Sequence, residues 1–308
     1  MSSLIEQAAR RLEQLRQAGV ELPDQSLLRP AVASSQVPTL PPVQAPVLAD
    51  TSHSKRVELD LEALAAQGYI APHGRSQIAD QYRVIKRPLI KNAMGKGAAS
   101  LNHANLIMVT SALAGEGKSF TSLNLALSIA AEMDNTVMLV DADVARPSVL
   151  RVLGLPAGPG LLDVLQGNTD MSDVLLRTNV DKLTLLPSGT PQERATEMLA
   201  SDAMVQMLDD MARRYSDRII IFDSPPLLLT TESRVLASHM GQIVVVVHAE
   251  KTAQSAVQQA LATIESCPLK MLLLNQAAGN AAGAYGYGYG YGYGYGYGYG
   301  NEPPKEQA

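Results

Sequence analysis

Between residues 105 and 275 short apolar runs alternate with turn residues and helical patterns, and this alternation limits the possible folds more than any other feature of the 308-residue chain. The runs at 106–110, 137–140, 183–186, 219–222, 243–247 and 271–274 have strand length. They are too continuously apolar for strands wetted on one face, as expected where helices cover both faces. Helical patterns fill the gaps at 118–131, 202–215 and 253–266. The order predicts a doubly wound, mostly parallel α/β sheet of about 175 residues. In such sheets ligands sit beyond the carboxyl ends of the strands, which is where chemistry-bearing residues are expected.

The first strand candidate leads into Ala112-Leu113-Ala114-Gly115-Glu116-Gly117-Lys118-Ser119, and this run opens an apolar helix. Glycines let backbone N–H groups close on phosphate oxygens, and a helix N-terminus adds positive potential. Lys118 is placed to reach outer phosphates and the Ser119 hydroxyl to ligate magnesium. The run is similar to a Walker A motif with Ala112 in place of its first glycine, and its strand–loop–helix context sets it apart from a plain Gly-rich turn. The expected nucleotide contacts are Ala114, Gly115, Glu116, Gly117, Lys118, Ser119 and Phe120, the last through its backbone N–H alone.

Two further strand candidates end in acids. Asp141 and Asp143 follow the run at 137–140, and Asp223-Ser224-Pro225-Pro226 follows the run at 219–222. A lone strand-end Asp is commonly a turn former or cap, but three beside a phosphate loop form a set. Asp223 reads as a Walker B carboxylate that holds magnesium directly or through water. Asp141 and Asp143 are candidates for orienting the attacking oxygen and for a second magnesium contact. Asn275, ending the last strand candidate, is placed to reach an adenine, but an Asn ending a strand is more often a turn former.

Outside this region the sequence divides into a short amphipathic helix at 1–20, a Pro-rich linker at 21–57, a helical lead-in segment at 58–100, the P-loop domain at 101–280 and a tail at 281–308. Pro88 is expected to end or kink the lead-in helix. Asp80, Arg83 and Lys86 are spaced by three, so a helix puts them on one arc, which by itself describes a solvated charged face. In the tail Tyr285, Tyr287, Tyr289, Tyr291, Tyr293, Tyr295, Tyr297 and Tyr299 alternate with glycine. Glycine at every second position makes a poor strand and predicts a disordered row of phenolic hydroxyls. A formal net charge of −5 without a block of Lys and Arg leaves nucleic acid unexpected as a partner. The five histidines lack metal-ligand spacing, Cys267 stands alone and reads as a small buried hydrophobe, and no run reaches the length of a membrane span.

The combined pattern, Walker A, Asp141-x-Asp143 followed by Arg146 and Pro147, Asp-Ser-Pro-Pro from Asp223, and a C-terminal tyrosine cluster, resembles the bacterial tyrosine kinases. The similarity runs from about Asp80 to the C-terminus. Within that family the segments at 80–89, 143–148 and 195–201, with the N-terminal helix and linker, are similar to the exosortase-associated tyrosine autokinases of exopolysaccharide gene clusters. The chain departs from its relatives at Ala145, where many have arginine, and at Phe120, where a small hydroxyl residue is usual.

The resemblance implies an ATP- and Mg2+-dependent protein-tyrosine autokinase. Lys118, Asp141, Asp143 and Asp223 would be its catalytic set, Ser119, Asp143 and Asp223 its magnesium contacts, and the eight tail tyrosines its phosphoacceptors. It further implies a ring-forming homo-oligomer joined through Asp80, Arg83 and Lys86, a membrane chain-length determinant (polysaccharide co-polymerase) as partner, a protein-tyrosine phosphatase, and a cytoplasmic position at the inner membrane held through that partner. Two other readings stay open at this point. One is a partition or positioning ATPase of the same fold class, although those proteins carry a signature lysine where this chain has Leu113. The other is a scaffold that uses the Tyr-Gly tail for interaction.

Overall fold

In the computed structural model residues 54–71, 76–97, 101–214 and 218–277 are described, so the expectations for 1–53 and for the tyrosine tail lie outside the described residues. The strands among them are β1 (Lys55–Val57), β2 (Leu106–Ser111), β3 (Thr136–Asp141), β4 (Leu176–Thr178), β5 (Leu183–Leu186), β6 (Arg218–Asp223), β7 (Gln242–His248) and β8 (Lys270–Asn275). They form one sheet in the order β1-β4-β5-β3-β6-β2-β7-β8. All pairings from β5 across to β8 are parallel, and β4 alone runs antiparallel to its neighbour β5. All six expected strands are present, each within a residue or two of its expected ends.

Alternation along the central strands splits the apolar side chains between two cores. Leu106, Met108, Met138, Val140, Ile220 and Phe222 face one layer, and Ile107, Val109, Val137, Leu139, Ile219 and Ile221 the other. The first layer is covered by α5 (Leu161–Leu165), α8 (Asp202–Arg214), α9 (Glu232–Ala237) and α10 (Gln254–Ala262); α6 (Met171–Val174) and α7 (Ala195–Leu199) complete this side. The second is covered by α1 (Leu61–Ala66), α2 (Gln77–Ala93), α3 (Lys118–Ala130) and the short α4 (Val149–Val152).

Three expectations are corrected here. The segment at 58–100 is part of the domain: Leu59, Leu64, Ile70, Ala79, Tyr82 and Leu89 are buried in the same core as Ile107 and Leu139. Its lead strand β1 adds an edge to the sheet from within the stretch expected to be linker, and Asn179 fixes it by accepting from Leu59 N at 2.9 Å and donating to Leu59 O at 3.0 Å. Three-residue strands such as β1 and β4 are too short to show a periodicity. Secondly, Pro88 does not end α2, which continues past it to Ala93. The carbonyl that Pro88 cannot serve belongs to Val84, and Val84 is exposed, so water can take the lost donor's place.

Thirdly, Lys86 does not share the exposed face with Asp80 and Arg83. Its side chain is 4% exposed, and its Nζ donates to Ser128 O at the end of α3 and pairs with Glu132 at 2.7 Å. Asp80 and Arg83 remain exposed and pair with each other. Lys86 is therefore a tie between α2 and the helix that follows the phosphate loop. Replacing it with Ala is expected to lower stability by about 2 kcal/mol, the scale of a lost charged hydrogen bond. A shift of the urea midpoint at constant m-value checks this, and an unchanged midpoint would count against it.

Candidate functional site

The site lies where β2, β3 and β6 end. From β2 the chain turns through residues 112–117 into α3, with Gly115 at φ 83° and Gly117 at φ 93°, a left-handed geometry that other residues adopt only under strain. A Cβ on Gly117 would also lie 2.1 Å from Asn275 Nδ2. Asn275 is close because its amide donates to Glu116 O at 2.9 Å, so the end of β8 rests on the phosphate loop. Asn275 is thus a brace, a tighter role than that of a turn former. The Glu116 carboxylate, 3% exposed, folds back to accept Leu113 N at 2.7 Å and the Thr252 hydroxyl, tying the loop to the segment after β7. Its side chain faces away from the ligand cavity, and only its backbone remains a candidate nucleotide contact.

Lys118 opens α3 and reaches across to Asp143, Nζ to Oδ2 at 2.8 Å. The two line a cavity of about 530 Å³ together with Ala114, Gly115, Gly117, Ser119 and Phe120 from the loop and helix, and Ser148, Arg146 and Pro226 opposite. Phe120 also packs on Tyr69 with ring centroids 5.0 Å apart. This contact accounts for an aromatic residue at a position usually small, because it holds the 58–70 segment against α3.

The three carboxylates are brought together as the sequence suggested. Asp141 and Asp223 are register partners on adjacent parallel strands, and Asp143 follows two residues beyond the strand end. Asp223 is fully buried, and its Oδ1 accepts from Ser122 Oγ at 3.0 Å. Asp143 Oδ1 accepts from Arg146 N at 3.1 Å. Asp141, 1% exposed, takes the N–H groups of Ser148 and Val149 on Oδ2, each at 2.9 Å, while its Oδ1 has no partner. Burial, reinforced by the negative charge of Asp223, pushes the Asp141 carboxyl up to about 7. Burial likewise raises Asp223, against the opposing pull of Lys118. Asp141 and Asp223 lie behind the cavity wall that Lys118, Ser119, Asp143 and Ser148 form.

This donor set fits magnesium. Ser119, Asp143 and Asp223 are hard oxygen donors, and Asp141 Oδ1 is a buried oxygen awaiting a partner. Among the described residues no three acidic, His or Cys side chains form a ready cage. An ion here would need phosphate and water beside one or two carboxylates. Sequence reasoning passed over Ser148, Ser122 and Thr252, each of which contacts a named site residue only through the fold.

A strand–loop–helix phosphate cradle with Asp-tipped neighbouring strands defines a P-loop NTPase-type domain. The AAA domain family matches residues 104–276, more than half of the chain. The chain is 30% identical over 68% of its length to the putative tyrosine-protein kinase EpsB of Ralstonia nicotianae, covering 27% of that protein. It is 33% identical over 59% of its length to the tyrosine-protein kinase CpsD of Streptococcus agalactiae, covering 80% of it. The crystal structure of the VpsO kinase domain superposes with a TM-score of 0.53 at 26% identity, over 66% of this chain and all of that domain. The chain belongs to the bacterial tyrosine-protein kinase family, and it spans about a quarter of the length of EpsB but most of CpsD.

Proposed function

We propose that the protein is an ATP-dependent protein-tyrosine autokinase whose acceptors are the tyrosines of its own tail, Tyr285 to Tyr299. The observation that carries this reading is the Lys118–Asp143 pair at the wall of a cavity with Asp141 and Asp223 immediately behind it. A tyrosine-rich tail begins ten residues beyond Asn275. Loop amides and Lys118 hold the outer phosphates, and Ser119, Asp143 and Asp223 hold magnesium, which when bound neutralises charge on the transferring phosphoryl group. A tail phenol oxygen bonds to the γ-phosphorus as the bond to the leaving ADP oxygen breaks. Asp141 takes or orients the phenol proton, directly or through one water. Asp141 suits that task because its Oδ2 is fixed by two backbone N–H groups and burial raises its carboxyl, favouring proton uptake.

Each phosphate adds about −1.5 to −2 charges at pH 7, so full modification changes the tail by more than ten charges. The reading includes a ring of subunits in which one tail enters a neighbour's site, a membrane chain-length protein that recruits the kinase to the cytoplasmic face, and a phosphatase that resets it, together controlling exopolysaccharide polymerisation or export. Asp80 and Arg83 are the exposed candidates for the subunit contact. The names of EpsB and CpsD support the kinase part of this reading.

The test mixes full-length Lys118→Met protein, as acceptor, with wild type truncated after Ala284, as enzyme, under magnesium-ATP, with intact wild type incubated alone in parallel. Phosphotyrosine on the Lys118→Met tail is the expected result. Labelling confined to intact wild type would replace transfer between subunits with transfer within one. ATP turnover with no phosphotyrosine on any species would favour a partition-type ATPase.

A further inference from the structure

We infer that Ser148 is a positioning residue of the cation site, acting through Ser119, Asp223 and Asp141. The inference rests on the phosphotransfer reading above in assigning magnesium to that site. Ser148 is 8% exposed, and its hydroxyl oxygen lies 2.9 Å from Ser119 Oγ and 3.4 Å from Asp223 Oδ2, two of the three side chains expected to hold the ion. Its backbone N–H donates to Asp141 Oδ2 at 2.9 Å. One residue thereby touches three members of the constellation, each carried by a different element.

The local structure shows why this hydroxyl is available. Ser148 occupies the N-cap of α4, where serine is favoured because its side chain accepts a hydrogen bond from the first turn. Here it makes no such bond. The open donors at this helix start, Ser148 N and Val149 N, go to Asp141 instead. Asp141 does the capping, and the serine hydroxyl is turned toward Ser119 and Asp223. An alanine at 148 would keep both backbone donors to Asp141 and remove only this hydroxyl, so the two functions of the residue separate cleanly. The 2.9 Å between the two serine oxygens is also the spacing of neighbouring ligands on an octahedral ion with bonds of about 2.0–2.1 Å, so Ser119 is already held at a ligand-like distance from a second oxygen.

The test measures the affinity of full-length protein for a fluorescent ADP analogue, with magnesium and with EDTA, in wild type, Ser148→Ala and Ser148→Thr. Removing an outer partner of a metal ligand typically weakens metal binding by about 10- to 100-fold. Ser148→Ala is therefore expected to lose about tenfold or more of the magnesium-dependent gain in affinity, to bind within about twofold of wild type in EDTA by the same reasoning, and to melt within a few degrees of it. Ser148→Thr, which restores a hydroxyl, should recover most of the gain. Equal weakening with and without magnesium, or no change in either condition, would overturn the inference. Neither readout requires phosphate transfer, so a wild type that binds magnesium-nucleotide but never labels its tail would defeat the kinase reading and leave this one standing.

Discussion

Replacing Lys118 with Met is expected to cut tail phosphorylation by about a thousandfold or more, the scale seen when a charge that stabilises phosphoryl transfer is removed. Lys118 stands at the first turn of α3 with its ammonium at the cavity wall, and methionine keeps most of its apolar stem. The loss is therefore electrostatic. A second effect accompanies it: Asp143, whose side chain is 7% exposed, keeps its bond from Arg146 N but loses its cation, and removing one partner of a buried ion pair costs about 3 kcal/mol or more. The nucleotide-free variant should melt lower than wild type, and Lys118→Met with Asp143→Asn should recover part of that stability without recovering transfer. Intact fold by circular dichroism together with lost transfer is the expected combination; wild-type transfer rates would remove Lys118 from the mechanism.

Asp141→Asn should lower kcat by about 10²- to 10⁴-fold, the range for loss of a positioned general base, with nucleotide affinity changed far less. Asparagine can keep the two backbone contacts through its oxygen and presents an N–H where the unpaired oxygen now sits. Because the base must be unprotonated, transfer in wild type should fall on the acid side, with a midpoint below the nucleotide-free value of about 7, since a bound magnesium ion favours the carboxylate. The same group sets an opposite trend in stability. The folded carboxyl holds its proton up to about pH 7 while the unfolded one releases it near 3.8. Between these values the folded state binds more protons, so nucleotide-free stability falls as pH rises. At about 1.4 kcal/mol per unit, the stability of Asp141→Asn relative to wild type should change by on the order of 4 kcal/mol in its favour between pH 4 and pH 8. Denaturation in EDTA at those two pH values reads this directly, and a constant difference would show that Asp141 is ionised throughout.

The parts of this fold that were legible in the sequence share one property: their signal is local. Strands β2, β3, β6 and β7 are runs of buried apolar residues, the phosphate loop is one continuous stretch, and Asp141, Asp143 and Asp223 mark strand ends. What was not legible depends on residues distant in sequence. Lys86 looked like the third member of a charged arc, yet Ser128 on α3 and Glu132 just past its end take its ammonium. Ser148 carried no signal of its own, because its place beside Ser119 and Asp223 arises only where the start of α4 meets Asp141. Glu116 looked like a loop residue facing the ligand, but Leu113 N and Thr252 turn its carboxylate inward. Strand β1 required a partner, β4, that is itself three residues long.

The measurement closest to the central claim is the intact mass of the full chain after incubation with magnesium-ATP, beside Lys118→Met and a chain truncated after Ala284, each with and without the cytoplasmic segments of a membrane chain-length partner. Stepwise additions of phosphate mass to the full chain alone, up to the eight tyrosines between 285 and 299, are the predicted result. ATP consumption with no gain of mass under any of these conditions would contradict the autokinase account.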